Sequence, residues 1–183
     1  AKDAWWAMGQ ALLARWAWQQ GDAVRGLQLA KAGATSEGPG GIECRRVVAE
    51  IEAPSFSLAS PLIDGVGKRS IHVDHKNVKQ LYFRAYTSDV IARVERARDY
   101  NLLPSGDELR LQLAGGKPVA EWSVTLPDLG DYASHATYVT PPLPKRGFYT
   151  VYASPRADFA ATHNRVEGVH LFLSQLVIRH RTE

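Results

Sequence analysis

The spacing of apolar residues changes once along this chain, at Ala53-Pro54, and the change separates two kinds of secondary structure. Before it, apolar residues recur at intervals of three and four, which is the spacing of one helix face. After it, short segments alternate apolar and polar residues, which is typical of strands with one buried face. The sequence therefore predicts a helical segment at residues 1–53 and a β domain at residues 54–183.

The first helix of this segment carries large apolar residues on one face. Trp5, Met8, Leu12 and Trp16 follow one another at intervals of three or four. The spacing of Trp5, Met8-Gly9 and Leu12 also matches the opening of a tetratricopeptide unit, with Met and Leu in place of the usual Leu and Tyr. We expect the two tryptophans to pack within the helical unit or against neighbouring helical repeats; the alternative is a groove for a partner.

A second helix is predicted directly after the first. Gly21 can end the first helix and Asp22 can cap the next one. The two helices then form an α-helical hairpin of the tetratricopeptide-like kind. A third helix is predicted at residues 43–51, after a glycine-rich turn.

The β domain is predicted to be an antiparallel sandwich of about seven strands. Long helices are missing between most of the segments, and parallel pairing would need such crossovers. A short amphipathic helix is the exception and is predicted near residues 89–101. The predicted strands are 55–60, 71–74, 81–87, 119–126, 136–139, 148–153 and 169–179.

Composition excludes several classes of protein. With 183 residues, 45% hydrophobic and 22% charged, the chain is long and apolar enough for a folded domain with an appendage. The net charge of +3 is spread out, so no nucleic-acid partner is predicted. No apolar stretch of about 18 residues is present, so no direct membrane insertion is predicted. Because the chain begins with Ala1, we expect a mature product or an excised piece that has lost any targeting segment.

Residues that usually carry chemistry are scattered, and we predict no catalytic, cofactor-binding or metal-ligating residue and no enzymatic activity. His72 and His75 are neighbours, but their spacing in a strand places them on opposite faces. The glycine-rich stretches lack the Lys-Ser/Thr of a phosphate loop. No nucleophile elbow is present.

Cys44 is the only cysteine, which excludes an internal disulfide. It lies near a predicted helix N-terminus beside Arg45 and Arg46, and both features would lower the pKa of a thiol. The other interpretation is a small buried residue that packs the third helix. We favour packing, because no histidine is close in sequence and an unpaired thiol is usually a packed one.

The β domain resembles the macroglobulin-like domain found near the N-terminus of bacterial alpha-2-macroglobulin family proteins. The phrase at residues 36–44, followed by Ile51, is similar to the passage that precedes this domain in some members. The resembling phrases are LYFRAY at 81–86, EWSVTL at 121–126, GDYASH at 130–135, LPKRGFYTVYAS at 143–154, Phe159, NRV at 164–166 and SQLVIR at 174–179.

The resemblance implies a seven-stranded macroglobulin-like sandwich, similar to immunoglobulin and fibronectin domains, in a periplasmic, cell-envelope or extracellular protease trap. It implies partners in other domains of the same long chain and, through the parent protein, in target proteases. Cys44 is followed by Arg45-Arg46, so the thioester motif of many members is absent, as is an obvious bait segment. We therefore expect a scaffold module that cannot trap by itself.

Two other classes of protein stay open. A β-sandwich adhesin or carbohydrate-binding module with a helical spacer would present an exposed aromatic platform. A secreted hydrolase fragment would keep activity in the isolated chain. The aromatic residues that could furnish a platform are Tyr82, Tyr86, Trp122, Tyr149 and Tyr152.

Overall fold

A computed structural model describes residues 4–61, 63–96, 106–160 and 162–175 of the chain, and helices and sheets both occur in them. The chain divides into two compact units. The helical unit comprises Ala1–Ser55, His75–Val78 and Pro127–His135. The sheet unit comprises Phe56–Asp74, Lys79–Leu126 and Ala136–Glu183.

The helical unit contains α1 (Ala4–Gln19), α2 (Ala23–Ala34) and α3 (Gly38–Glu52). Asp22 caps α2 as predicted, because its carboxylate accepts a hydrogen bond from the Arg25 backbone N–H at 2.9 Å. Each helix packs against both of the others. The third helix is longer than predicted and brings its own apolar face, so the unit has three mutually packed helices instead of a hairpin alone.

The face that α1 buries is made of alanine. Ala7, Ala11, Ala14 and Ala17 are at most 3% exposed. The predicted apolar stripe points the other way, since Trp5, Leu12 and Trp16 are 84%, 64% and 58% exposed. The tryptophans therefore do not pack within the helical unit, and their packing against neighbouring helical repeats stays a prediction.

Close approach of the helices explains this orientation of α1. A Cβ on Gly26 of α2 would lie 2.8 Å from the Ala14 carbonyl oxygen and 3.3 Å from Trp18 Cβ. Helices that pack at this separation leave room only for small side chains between them. The large apolar residues of α1 must then lie on its opposite face.

The described residues contain eight strands, in two sheets. The three-stranded sheet has the order β1-β3-β6, and the five-stranded sheet has the order β2-β8-β7-β4-β5. Two further helices are α4 (Val90–Arg96) and α5 (Gly106–Gly115). The strands are β1 (Ser55–Ala59), β2 (Ile63–Gly65), β3 (Ile71–Lys76), β4 (Gln80–Thr87), β5 (Ala120–Thr125), β6 (His135–Val139), β7 (Gly147–Ser154) and β8 (Glu167–Ser174).

The predicted antiparallel pairing is found between β4 and β5, β4 and β7, and β7 and β8. It fails at β2, which pairs with β8 in parallel. The sequence does not predict this strand, because its three residues are too few to show alternation. With β2 included, the described residues contain eight strands instead of the predicted seven.

The sheet unit also contains helices. The helix predicted near 89–101 is present as α4, and its part from residue 97 lies outside the described residues, as does the part of the last predicted strand from residue 176. Helix α5 was not predicted.

β7 is the most buried strand of the five-stranded sheet. It lies between β4 and β8, and the side chains of residues 149–154 are all buried. Phe83 of β4 adds to this interior, because its ring stacks on Trp122 of β5 with centroids 5.0 Å apart and planes within 6°. The segment that begins at the turn of residues 143–147 therefore forms the structural centre of the sheet.

Candidate functional site

A cleft in the sheet unit lies beside α5, and we call it the α5 cleft. Its volume is about 510 Å³. Apolar side chains dominate the lining, with three polar or charged groups among them. The lining residues are Leu109, Arg110, Leu113, Ala114, Asp158, Phe159, Ala160, Asn164 and Val166.

The floor of the α5 cleft adjoins an aromatic cluster on the sheet. Tyr86, Tyr152 and Phe159 form this buried cluster, and Leu109 and Leu113 of α5 pack against it. The Tyr152 hydroxyl donates a hydrogen bond to Gln112 Oε1 at 2.9 Å, which fixes α5 to the sheet. Acidic residues in the first turn of α5 suit its positive N-terminal end.

The polar groups at the cleft rim are already used within the chain. Arg156 binds both carboxylate oxygens of Asp158, at 3.0 and 2.6 Å, and holds the pKa of Asp158 well below its ordinary range. The Asn164 amide donates to the Ser154 hydroxyl at 3.0 Å. Among the lining residues, no nucleophile is paired with a base, so the cleft is suited to contact with an apolar group.

The two tyrosines of the cluster are held in their neutral form. Burial raises the pKa of Tyr86 and of Tyr152. Their rings are tilted with centroids 5.8 Å apart. Both phenols are therefore protonated near neutral pH, and both rings pack in the buried cluster.

The two neighbouring histidines separate as the strand geometry predicts. His72 stacks on Tyr138 of β6 with ring centroids 4.7 Å apart, in the sheet unit. His75 is 2% exposed in the helical unit, where its ring lies 6.2 Å from that of His135. The spacing in β3 thus sends the two rings to opposite faces.

A small polar cavity surrounds His75 and His135. The His135 Nε2 atom lies 2.9 Å from Asp131 Oδ1, and this hydrogen bond is the largest cause of the lowered pKa of Asp131. The Ala133 backbone N–H donates to the same carboxylate at 3.0 Å. With about 10 Å³ the cavity has room for one water molecule. Within the described ranges, no group of three His, Cys, Asp or Glu residues has the arrangement of a metal site.

Cys44 is a packing residue, as predicted. It is fully buried, and its Sγ donates a hydrogen bond to the Ala7 carbonyl oxygen at 3.2 Å. Burial raises the pKa of the thiol, which is the direction opposite to reactivity. The neighbouring Arg45 guanidinium donates instead to the Ala34 carbonyl oxygen at 2.7 Å.

Three of the five aromatic residues proposed for a carbohydrate platform are buried. Tyr86, Tyr149 and Tyr152 are at most 5% exposed. The Tyr149 hydroxyl donates to the Lys145 carbonyl oxygen at 3.0 Å and so fastens the turn before β7. Trp122 is half-buried against Phe83. The three buried rings are therefore structural, whereas Tyr82 is half-buried like Trp122, and both line a smaller cleft on the sheet.

Comparison with known proteins gives little similarity. No protein-family model and no curated protein matches the chain. Among solved structures, the CARDB domain of a Pyrococcus furiosus protein, crystallised in complex with di-metal ions, is 17% identical. The match covers 67% of this chain and 94% of that domain, with a TM-score of 0.29. These values are too low to transfer a fold or a ligand. Among the described helices, none has the length and apolar character needed to cross a membrane.

Proposed function

We propose that this chain is a non-catalytic structural module of a bacterial alpha-2-macroglobulin family protein that traps proteases. One observation carries the proposal. Three resembling phrases that are far apart in the sequence, at 81–86, 121–126 and 143–154, supply most of β4, β5 and β7, and β4 pairs with both of the other strands. Phrases that belong to one domain core are expected to meet in this way.

The proposal includes a macroglobulin-like, immunoglobulin- or fibronectin-like sandwich and a tetratricopeptide-like helical segment. Two sheets of three and five strands support the sandwich. The third helix is longer than predicted, and the eighth strand is an addition to the predicted outline. In the helical unit, the small buried residues of α1 and α2 suit the close helix packing that such repeats require.

The mechanical role of the module follows from β7. This strand pairs along its length with β4 on one side and β8 on the other, and six consecutive side chains are buried. To move it, the chain would have to expose its most apolar surface and break two ladders of hydrogen bonds together. Such a module keeps its shape while other domains of a trap rearrange around a protease.

In this function the partners are other domains of the same long chain, and proteases are met through the parent protein. The compartment is the periplasm, the cell envelope or the extracellular space. The α5 cleft, with its apolar lining, has no assigned part in the proposal. Cys44, which is buried and bonded to Ala7, takes no part in covalent capture.

Two measurements on the native protein test the proposal. An antiserum raised against residues 1–183 reports the length of the natural polypeptide on an immunoblot, and a very long polypeptide is expected. Intact mass before and after methylamine then detects an internal thioester, which gains one methylamine when it opens.

Each result has a defined meaning. A gain of one methylamine in a long parent supports a covalent trap. A long parent without a gain supports the branch of the family that holds its targets by conformational collapse. A short parent without a gain contradicts the family assignment and returns the adhesin or carbohydrate-binding module to first place, which sugar titration calorimetry then examines.

A further inference from the structure

One face of α1 exposes large apolar side chains, and we call it the α1 stripe: Trp5, Gly9, Leu12, Leu13 and Trp16. The exposed fractions of the four large residues are 84%, 64%, 51% and 58% in sequence order. Their spacing of three, four and eight residues places them on one side of the helix, over about three turns. Isolated exposed apolar residues are ordinary, but a continuous stripe of this kind marks an interaction surface.

The α1 stripe carries no charge. Arg15 is the only ionisable residue of α1, and it is bound to α3 by hydrogen bonds to Glu43 at 2.6 Å and Glu50 at 3.2 Å. An anionic membrane surface attracts apolar helices that have free Lys or Arg beside the apolar face. Because the one cation of α1 is already paired, the charge pattern favours a protein surface that is itself apolar and uncharged.

Gly9 forms a depression in the middle of the stripe. A Cβ placed on Gly9 would meet no atom within 4 Å. The residue lies one turn after Trp5 and one turn before Leu12 and Leu13. A ridge from another helix can enter this depression between the large side chains.

The stripe is complementary to itself when two copies of α1 run antiparallel. In an antiparallel pair, each step forward along one helix is a step backward along the other. If Trp5 of one copy faces Trp16 of the second copy, Gly9 therefore faces Leu12 of the second copy. Each leucine then fills the depression of the opposite helix, as a knob fills a hole. The antiparallel direction also places the two helix dipoles in a favourable arrangement.

We propose that the α1 stripe is a homodimer interface in which two copies of this chain pack α1 antiparallel, with Gly9 of each copy receiving Leu12 of the other. The four large side chains expose on the order of 500 Å² per copy. Two copies together therefore bury about 1,000 Å², which reaches the lower limit for a specific interface. The inference is independent of the proposed function.

Sedimentation equilibrium over a concentration series from about 1 to 200 μM tests the proposal. We expect a mass of twice 20.2 kDa at the upper end. Leu12→Asp should be monomeric throughout, because it places a charge in an apolar contact. Ile42→Ser is the matched control, since Ile42 is 59% exposed on α3 outside the stripe, and it should dimerise like the wild type. Circular dichroism verifies that each variant is folded.

Gly9→Leu separates this packing from general stickiness. The substitution enlarges the apolar surface and improves helix propensity, so non-specific association would become stronger. In the proposed packing the new leucine collides with Leu12 of the second copy, and the dissociation constant should rise at least tenfold. The double variant Gly9→Leu with Leu12→Ala exchanges the knob and the hole, and it should recover most of the affinity.

Three results would overturn the proposal. The first is a wild type that stays monomeric at every concentration. The second is a Gly9→Leu variant that associates as tightly as the wild type or more tightly. The third is a monomeric wild type that binds vesicles of phosphatidylcholine and phosphatidylserine through Trp5 and Trp16, which would assign the stripe to a membrane surface.

Discussion

Gly33→Ala tests the close helix packing that holds the helical unit together. Gly33 of α2 is buried, and a Cβ at this position would overlap Cys44 Sγ and lie 3.1 Å from Gln10 Cβ. Cys44 has little freedom to move away, because it is fully buried and its Sγ is bonded to the Ala7 carbonyl oxygen. One added methyl group therefore strains the contact between all three helices.

Two opposing terms set the magnitude. Alanine is a better helix former than glycine, which favours the variant by about 1 kcal/mol. Overpacking a dense interior costs about 1–3 kcal/mol, and loss of the Cys44 hydrogen bond costs about 1 kcal/mol more. We expect the free energy of unfolding of the helical unit to fall by about 1–3 kcal/mol.

Gly9→Ala is the matched control, because it makes the same change on a half-buried position with open space around it. It should raise the free energy of unfolding by about 0.5–1 kcal/mol. Urea unfolding followed by helical circular dichroism measures both variants, at about 1 μM so that association does not contribute. If Gly33→Ala proves as stable as Gly9→Ala, the packing argument is refuted.

A second substitution locates the strain. Cys44→Ala in the Gly33→Ala background removes the sulfur atom that the new methyl group meets. The double variant should therefore be more stable than the sum of the two single effects predicts, which a double-mutant cycle measures. Strict additivity would show that the two side chains do not collide.

Three further predictions concern single interactions. Arg15→Met should lower the free energy of unfolding by up to about 1 kcal/mol, since its ion pairs are partly exposed. The hydrogen bond from Arg15 lowers the pKa of Glu43 in the folded protein. The stabilisation by this ion pair is therefore complete above the ordinary glutamate pKa of about 4.3, and it is lost as the pH falls through the lower pKa of the folded state. Urea midpoints between pH 7 and 3 should then converge for wild type and variant, and a constant difference would contradict the assignment. Asn77 has φ +55°, and its amide donates to the Ile51 carbonyl oxygen at 2.9 Å. Asn77→Gly should lower the free energy of unfolding by about 1 kcal/mol, through loss of this hydrogen bond. Asn77→Ala should lower it by about 1 kcal/mol more, because alanine is strained at a positive φ. Equal melting temperatures of the two variants would disprove the contribution from strain. Tyr152→Phe should cost the sheet unit about 1 kcal/mol through the bond to Gln112. Burial raises the pKa of Tyr152, so its hydroxyl should not ionise near the ordinary tyrosine pKa of about 10. The phenolate absorbance that develops near this pH should therefore be the same in wild type and variant. A smaller absorbance in the variant would argue against a buried hydroxyl.

Strand positions could be read from the sequence where one face of the strand is buried. β4 shows this best, since Leu81, Phe83 and Ala85 are buried while Tyr82 and Arg84 are half-buried on the other face. In β7 the alternation is weaker, because both faces are covered, but its aromatic and β-branched residues still identify a strand. β2 and its parallel pairing could not be read, because three residues do not establish a period.

The orientation of α1 could not be read from hydrophobicity alone. The pattern identified the helix and its stripe, but the inward face is chosen by how near the neighbouring helices come. Gly26 and Gly33 set that separation, because a Cβ on Gly26 would lie 2.8 Å from the Ala14 carbonyl oxygen and a Cβ on Gly33 would lie 3.1 Å from Gln10 Cβ. The spacing of Ala7, Ala11 and Ala14 is a sequence signal for this inward face. Alanine contributes little hydrophobicity, so the larger residues of the stripe dominate the pattern.

Some of the candidate sites could be predicted from the sequence and others could not. For Cys44, the general tendency of lone thiols to be buried predicted the outcome. The α5 cleft could not be predicted, since its lining joins a helix with no clear apolar period to residues 158–160, 164 and 166, which lie outside any regular element. The spacing of His72 and His75 was informative because strand geometry alone decides on which face each ring lies.

The most direct test of the central claim is a protection assay with the full-length native protein. A protease such as trypsin or subtilisin is incubated with it, and cleavage of a large protein and of a short chromogenic peptide is measured. If this chain belongs to a protease trap, digestion of the large substrate should fall sharply while the small peptide is still cleaved, because a collapsed cage excludes only large molecules. Unchanged digestion of both substrates by every protease in the panel would contradict the account.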